Sequence, residues 1–133
     1  MSEVPRIVAS RRCDLFEVDL REDGILVYRP VAGAQLTQQV ARQVLALGLE
    51  LVGAGPKPTL VMMEDVGRVD RPAREVFASE EYLRLSCRTA LVVGSPVSRV
   101  IGNFFVGLNR LKYPCKVFDD PARALEWLHA LPS

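Results

Sequence analysis

Apolar and polar residues alternate over residues 14–20, and a Glu-Asp-Gly turn at 22–24 separates them from a second apolar run at 25–29. This pattern predicts two antiparallel strands joined by a hairpin. The alternation places Phe16, Val18 and Leu20 on one face, and Glu17 and Asp19 on the other. Such a strand is typical of a sheet edge with one face in solvent.

The period changes to that of a helix from Thr37, which is the expected N-cap, and the Gly-rich segment 53–56 ends the helix. The apolar residues at helical spacing are Val40, Val44, Leu47 and Leu51, and Leu45, Leu49 and Val52 widen their stripe. The wide stripe indicates a second contact, either within the domain or with another subunit.

Continuous apolar runs at 59–64 and 89–94 predict central parallel strands covered on both faces. Residues 65–70 are expected to form a loop. A short helix is predicted to begin at Asp70 with Pro72 and to carry Val76 and Phe77, with Tyr82 and Leu83 further along. A second helix is predicted from Pro96 to about residue 112, followed by a strand at 115–118 and a last helix after residue 120.

The element order is therefore ββαβαβαβα, an α/β fold. It predicts a mixed five-stranded sheet, with an opening antiparallel hairpin and then parallel strands, and four helices. The 133 residues fit a single domain over residues 1–133, with a core at about 13–131.

Charge and composition exclude several classes of function. A net charge of +1 provides no field for nucleic acid, and no apolar run approaches the roughly 20 residues of a membrane span. Without a signal-peptide pattern, we expect a cytoplasmic protein. Cys13, Cys87 and Cys115, with the lone His129, support neither a disulfide framework nor a metal site, so we expect reduced, buried thiols and no cofactor.

The order of elements resembles a STAS-type domain, a family named for sulfate transporters and anti-sigma-factor antagonists. It is most similar to small stand-alone actinobacterial STAS/CRAL-TRIO-like proteins of unassigned role. The resemblance covers most of the chain from about residue 13. Its motifs are Arg71-Pro72-Ala73-Arg74, Ser95-Pro96-Val97-Ser98-Arg99, Asn103-Phe104-Phe105 and Ala124-Leu125-Glu126-Trp127-Leu128.

The resemblance implies a regulatory role, but one of the family's functional residues is absent. In anti-sigma antagonists a phosphorylatable Ser begins the helix after the third strand, in an Asp-Ser-x-Gly setting. Here Asp70 matches the acidic residue, whereas Arg71 and Pro72 fill the hydroxyl positions. Ser79 lies too far along the helix to replace that serine.

Two polar clusters at helix starts are candidate ligand-binding sites. Arg71 and Arg74, near Arg68, share a helix face beside an N-terminus that favours anions. The alternative is that Asp65 and Asp70 neutralise these arginines as surface ion pairs.

The second cluster consists of Ser95, Ser98, Arg99 and Asn103. Ser95 is explained by helix capping alone. Arg99 and Asn103 lie four apart, away from the core, and fit a ligand rim, a subunit contact or a solvated surface.

No nucleophile with a base, carboxylate pair or ligand set is recognisable, so we expect a non-catalytic binding or regulatory module. A homodimer is expected from surplus apolar residues around Leu45, Leu49, Phe105 and Val106, and a protein partner or a small ligand is compatible with the sequence. The alternative is a carrier of a small apolar or amphipathic ligand, as in CRAL-TRIO folds, in a cavity lined by Met62, Met63, Phe77, Phe104 and Phe105. A hydrolase using Glu64 or Asp65 is a weaker third option.

Overall fold

Apolar strands and amphipathic helices alternate along the chain and form a mixed sheet with helices on both faces. The structure is a computed structural model that describes residues 5–63, 66–96, 99–100, 103 and 113–130. The main sheet has six strands in the order β1-β2-β3-β5-β7-β8. Their bounds are β1 Ile7–Arg12, β2 Phe16–Arg21, β3 Leu26–Pro30, β5 Lys57–Met62, β7 Ser86–Val92 and β8 Cys115–Phe118. Strands β1, β2 and β3 pair antiparallel, and β3, β5, β7 and β8 pair parallel.

The predicted mixed α/β sheet is confirmed, but its count of five strands is wrong. Strand β1 adds an antiparallel edge that the hydrophobic pattern does not reveal. Its side chains are mostly exposed on both faces, with Ile7 53% and Val8 58% exposed, so the strand shows no apolar alternation.

A second correction concerns the segment expected to be a loop. Residues Val66–Val69 form strand β6, which pairs in parallel with strand β4, Ala34–Leu36, as a separate two-stranded sheet. Both strands are short, and each alternates too briefly to be distinguished from a loop by pattern alone.

Three α-helices lie within the described ranges, where the sequence predicts four in the whole chain. They are α1 Gln38–Val52, α2 Arg71–Phe77 and α3 Pro121–Ala130. Tyr82 and Leu83 belong to a separate 3₁₀ helix, Glu80–Arg84, and not to α2. Most of the helix predicted at 96–112 lies outside the described residues, although Pro96, Arg99, Val100 and Asn103 have helical backbone.

Helix α1 begins and ends as its sequence predicts. The Thr37 side chain accepts a hydrogen bond from the Val40 N–H at 3.3 Å, and Gly53 ends the helix with a positive φ of 59°. Leu45 is buried and Leu49 is partly buried in the domain's own core. Contacts within the domain therefore account for Leu45 and Leu49, two of the residues that widen the apolar stripe.

Two cores cover the two faces of the main sheet. The larger one lies under α1 and α2 and includes Val18, Leu26, Val44 and Leu91. The smaller one lies under α3 and includes Val27, Leu60, Val92 and Leu128. Because successive strand residues point to opposite faces, Leu26 and Val27 enter different cores.

Candidate functional site

The arginines of the first predicted cluster already have partners within their own segment. Arg71 Nε lies 3.4 Å from Glu75 Oε1, and both side chains are largely exposed. Arg74 Nη1 donates to the Val69 carbonyl at 3.2 Å. The ion-pair partner of Arg71 is thus Glu75, one helical turn away, and such an exposed pair contributes only about 0–1 kcal/mol.

The carboxylate of Asp70, and not a hydroxyl group, caps the N-terminus of α2. Its Oδ1 accepts from the Ala73 N–H at 2.9 Å, and Pro72 occupies the first turn, as the sequence predicts. Ser79 does not contribute at this position, because it is the N-cap of the 3₁₀ helix and its Oγ donates to the Val76 carbonyl at 2.6 Å.

In the second predicted cluster, Arg99 is exposed and Ser95 is half-buried. Arg99 N–H donates to the Ser95 carbonyl at 2.9 Å, and Arg99 Nη2 lies 3.3 Å from Asp119 Oδ2. Asn103 is exposed, and Ser98 lies outside the described residues. The first cluster follows β6 of the two-stranded sheet, and the second follows β7 of the main sheet. Arg71 and Arg99 pair with different carboxylates, those of Glu75 and Asp119.

A cavity of about 60 Å³ lies between the main sheet and the helices α1 and α2; we call it the core cavity. The described residues of its wall come from both sheets, the helices α1 and α2, and the 3₁₀ helix, together with Tyr113. The apolar wall residues are Phe16, Leu36, Val44, Val61, Met63, Val66, Val69, Phe77 and Leu91.

The sequence predicts part of this wall. Met63 and Phe77 line the core cavity as expected. Met62, the last residue of β5, packs against the core on the opposite face of the sheet. Phe104 and Phe105 lie outside the described residues. The sequence does not identify the remaining wall residues, because a cavity forms where side chains from distant parts of the chain leave a space unfilled.

Four wall residues carry hydroxyl groups, and three of them have partners. Tyr82 Oη lies 3.0 Å from Thr89 Oγ1, which is also 2.9 Å from Ser86 Oγ. Tyr113 Oη donates to the Phe77 carbonyl at 2.9 Å. The rings of Tyr82 and Tyr113 pack with centroids 4.9 Å apart, so the two bonded hydroxyls also position this aromatic part of the wall.

The fourth hydroxyl, on Tyr28, is buried and has no hydrogen-bond partner among the residues that the structure describes. It lies next to Gly48 of α1, where a Cβ would overlap it. The sequence gives no signal for this residue beyond its place in an apolar strand. A buried donor without a partner costs about 1–3 kcal/mol, so its retention calls for an explanation.

Burial also changes the acid–base properties of this side of the sheet. It raises the pKa values of Tyr28, Tyr82 and Tyr113 well above the ordinary value for tyrosine. Burial raises the pKa of the Cys115 thiol to about 12. These groups are therefore neutral at physiological pH, and Cys115 is a poor nucleophile.

On the opposite face, Asp19 differs from the half-exposed residue that the alternation predicts. It is only 1% exposed, accepts from Ser10 Oγ at 2.5 Å, and its Oδ2 lies 3.6 Å from Arg29 Nε. The neighbouring strands β1 and β3 supply these partners, which the sequence of β2 alone could not reveal. Asp19 is thus a polar link across three antiparallel strands.

The remaining titratable side chains do not assemble a metal centre in the described ranges, where no three His, Cys, Asp or Glu residues cluster. The three cysteines are free and half-buried. His129 Nε2 lies 3.3 Å from Asp23 Oδ2 at the surface. Glu64 and Asp65 lie outside the described residues.

No helix in the described part of the chain has the length and hydropathy to cross a membrane.

Comparisons with known proteins give the class. The chain belongs to the DUF7793 family, a domain of unknown function, whose family model matches residues 19–131. A solved structure of an uncharacterised protein of the DUF3478 family from Shewanella loihica PV-4, described as having a SpoIIAA-like fold, is 18% identical with a TM-score of 0.57. The alignment covers 96% of this chain and 98% of that one. The fold is therefore SpoIIAA-like, which confirms the STAS-like resemblance.

A second solved structure, of a protein with unknown function from Arthrobacter sp. FB24, is 36% identical with a TM-score of 0.33. It aligns over 86% of this chain and 92% of the other. The search of curated proteins found no match.

Proposed function

We propose that the chain is a non-catalytic binding or regulatory module of STAS-like type that operates without a phosphorylatable serine at α2. The observation that carries the proposal is the start of α2. There the Asp70 carboxylate caps the Ala73 N–H at 2.9 Å, and Arg71 and Pro72 fill the next two positions. No hydroxyl stands at these positions to accept a phosphoryl group.

The surface we assign to a protein partner is formed by the segments that follow β6 and β7. It presents the exposed residues Arg71, Arg99 and Asn103, with Arg74 and Ser95 half-buried beside them. Ser98 is included on sequence grounds. Exposed arginines at the rim of an interface affect partner choice and association rate more than stability.

The test uses the tagged chain expressed and cross-linked in its own host, followed by mass spectrometry of the intact protein and of co-purified proteins. We expect an unphosphorylated chain and a specifically enriched protein partner. The partner should be lost with Arg71→Glu or Arg99→Glu and kept with Arg84→Glu. Arg84 is an exposed arginine that precedes β7, at the opposite end of the sheet. Stoichiometric phosphate on any serine, or the same partner yield from all three variants, contradicts the proposal.

We also propose a homodimer, on the basis of exposed apolar residues in β1 and not of those in α1. Leu45 and Leu49 are used inside the domain, but Ile7 and Val8 expose apolar side chains on the edge strand β1, where another chain can pair. Light scattering should give a dimer mass; a monomer mass independent of concentration contradicts it.

The carrier of an amphipathic ligand has less support than the module. A cavity of about 60 Å³ is too small for a lipid chain, because a ligand as small as benzene occupies a cavity of about 150 Å³. Native mass spectrometry of the gently purified protein distinguishes the carrier from the module, since a carrier should retain a co-purified amphiphile.

Substrate screening of the parent beside Glu64→Gln and Asp65→Asn tests the hydrolase option, and equal background rates are expected.

A further inference from the structure

We propose that an open pocket at the turn between β1 and β2 binds a small zwitterion, a molecule with one carboxylate and one ammonium group. We call this site the turn pocket. Its described lining consists of residues 12–14, 16–17 and 29–31, and its volume is about 360 Å³. The proposal goes beyond the protein partner proposed above, because no lining residue belongs to the partner surface.

The turn pocket is built on backbone that the main sheet holds in place. The Cys13 N–H donates to the Phe16 carbonyl across the turn, and the Val31 N–H donates to the Leu15 carbonyl, both at 2.9 Å. The pocket lies beside the carboxyl end of β3, which pairs in parallel with β5. This end of parallel strands is where α/β proteins commonly bind ligands.

The size of the turn pocket suits a small organic molecule. Small-molecule sites have volumes of about 300–1,000 Å³, and the turn pocket lies near the lower end of that range. A cavity of about 150 Å³ already holds benzene. A ligand of amino-acid size therefore fits.

Three charged side chains stand opposite one another on adjacent strands at the turn pocket. In the strand register, Glu17 of β2 lies opposite Arg12 of β1 and also opposite Arg29 of β3. Arg12 occupies the Glu17 carboxylate, because its Nη2 lies 2.8 Å from Glu17 Oε2. Arg29 contacts Asp19 instead, two residues further along β2, with Nε 3.6 Å from Oδ2.

The buried carboxylate of Asp19 positions Arg29. Asp19 is only 1% exposed, and its Oδ1 accepts a hydrogen bond from Ser10 Oγ. Its Oδ2 has no hydrogen-bond partner among the described residues and lies next to Arg29 Nε. An unpaired buried carboxylate is costly, so this contact holds the guanidinium by its Nε side. The two Nη groups of Arg29 make no hydrogen bond to any described residue and are left for a ligand.

The guanidinium of Arg29 selects the acidic group of the ligand. Its parallel N–H groups match the two oxygens of a carboxylate. The carboxylates of Asp19 and Glu17 lie beside Arg29 and repel a dianionic phosphate more strongly than a group with a single charge. The complement of Arg29 is therefore a carboxylate.

Asp14 selects the basic group of the ligand. Its side chain lines the turn pocket, is exposed, and has no ion pair or hydrogen bond with a described residue. Since Arg12 and Glu17 neutralise each other, Arg29 and Asp14 are the charges that the described lining offers to a ligand. An ammonium group is the complement of the Asp14 carboxylate.

The experiment is an NMR titration of the full chain with the unbranched ω-amino acids from glycine to 6-aminohexanoate, which vary the separation of the two charges. At least one member should shift the backbone amide signals of residues 13–17 and 29–31 in a saturable way and leave those of residues 124–128 unchanged. Hexanoate, hexylamine and inorganic phosphate are the control probes, and each should bind more weakly than the best ω-amino acid.

Variants of the two charged residues test their roles. Arg29→Gln should weaken binding at least about tenfold, because a charge-assisted hydrogen bond is lost. Asp14→Asn should weaken it about threefold, the value of an exposed ion pair. Arg11→Gln is the matched control, because Arg11 is an exposed arginine of β1 that does not line the turn pocket. If Arg29→Gln does not fold with Asp19 left unpaired, the double variant with Asp19→Asn takes its place.

Asp19→Asn alone tests the positioning of Arg29. It keeps an acceptor for Ser10 but removes the charge beside Arg29 Nε. Binding should weaken about threefold, the value of one ion pair, and the Nε–H signal of Arg29 should move while that of Arg12 stays. Unchanged affinity with an unchanged Arg29 signal would overturn the positioning role.

The site is overturned if no ω-amino acid gives a saturable shift at the turn pocket, or if Arg11→Gln weakens binding as much as Arg29→Gln. The zwitterion is overturned if hexanoate, hexylamine or phosphate binds as tightly as the best ω-amino acid. None of these outcomes alters the results with Arg71→Glu and Arg99→Glu that test the proposed function.

Discussion

The hydroxyl of Tyr28 on β3 lies against Gly48 of α1, so closely that a Cβ at position 48 would overlap both this hydroxyl and the side chain of Leu85. Glycine in the middle of a helix costs about 0.5–1 kcal/mol relative to alanine. Here its absence of a side chain allows α1 to approach the sheet beside the core cavity. The two residues together set the spacing between helix and sheet.

Gly48→Ala should therefore destabilise the protein despite its higher helix propensity. We expect the free energy of unfolding to fall by about 1–3 kcal/mol, the usual cost of overpacking a core, in urea denaturation. Gly55→Ala is the matched control, because a Cβ there meets open space and the backbone φ is not positive. A Gly48→Ala protein as stable as the parent would show that helix and sheet are not in close contact at this point.

Tyr28→Phe should leave stability unchanged or raise it by up to about 2 kcal/mol, because it removes a buried hydroxyl that has no described partner. Tyr82→Phe and Tyr113→Phe are the comparison variants. Each loses a hydrogen bond, to Thr89 or to the Phe77 carbonyl, and should lose about 1 kcal/mol in the same measurement. A loss with Tyr28→Phe as large as with Tyr82→Phe would indicate a bonded hydroxyl at position 28.

Asp70→Ala should lower the free energy of unfolding by about 1 kcal/mol, because the cap of α2 is lost. Asp70→Asn keeps an acceptor oxygen and should retain most of that stability. Arg71→Ala removes only an exposed ion pair with Glu75 and should change stability by less than about 1 kcal/mol. Equal losses from Asp70→Ala and Arg71→Ala in thermal unfolding would argue against the cap.

Stability should fall at alkaline pH. Burial raises the pKa of Cys115 from 9.0 to about 12 and raises those of Tyr82 and Tyr113, so the folded protein keeps protons that the unfolded chain releases. The contribution of these groups is full below about pH 9 and is lost as pH rises, by up to about 1.4 kcal/mol per pH unit for each group. Urea unfolding at increasing pH should show this decline. The slope should be smaller in Cys115→Ala, and a flat or rising profile would contradict the burial of these groups.

The parts of the fold that the sequence predicts are those with strong local signals. Thr37 and Asp70 cap their helices as expected, and the continuous apolar run of β5 lies at the centre of the sheet. Strand β1 was missed because it is exposed on both faces, and β6 because it has only four residues. The mixed sheet follows from the alternation of strands and helices after the opening hairpin, and the STAS-like resemblance agrees with it.

The candidate sites were less predictable than the fold. The sequence points to charged residues at helix starts, yet Arg71 and Arg99 pair with nearby carboxylates. The core cavity is made by side chains from many elements, and Tyr28 gives no polar signal in an apolar strand. That its hydroxyl has no partner among the described residues follows only from what surrounds it after folding.

Diffraction from a crystal pressurised with xenon tests the core cavity most directly, because xenon enters apolar cavities that are empty or exchange their contents. We predict an anomalous peak between Val44, Val61 and Leu91, beside the Tyr28 ring, that disappears in Val61→Met and persists in Leu60→Met. No peak at this place in the parent protein, with the side chains closed over the space, would contradict the account.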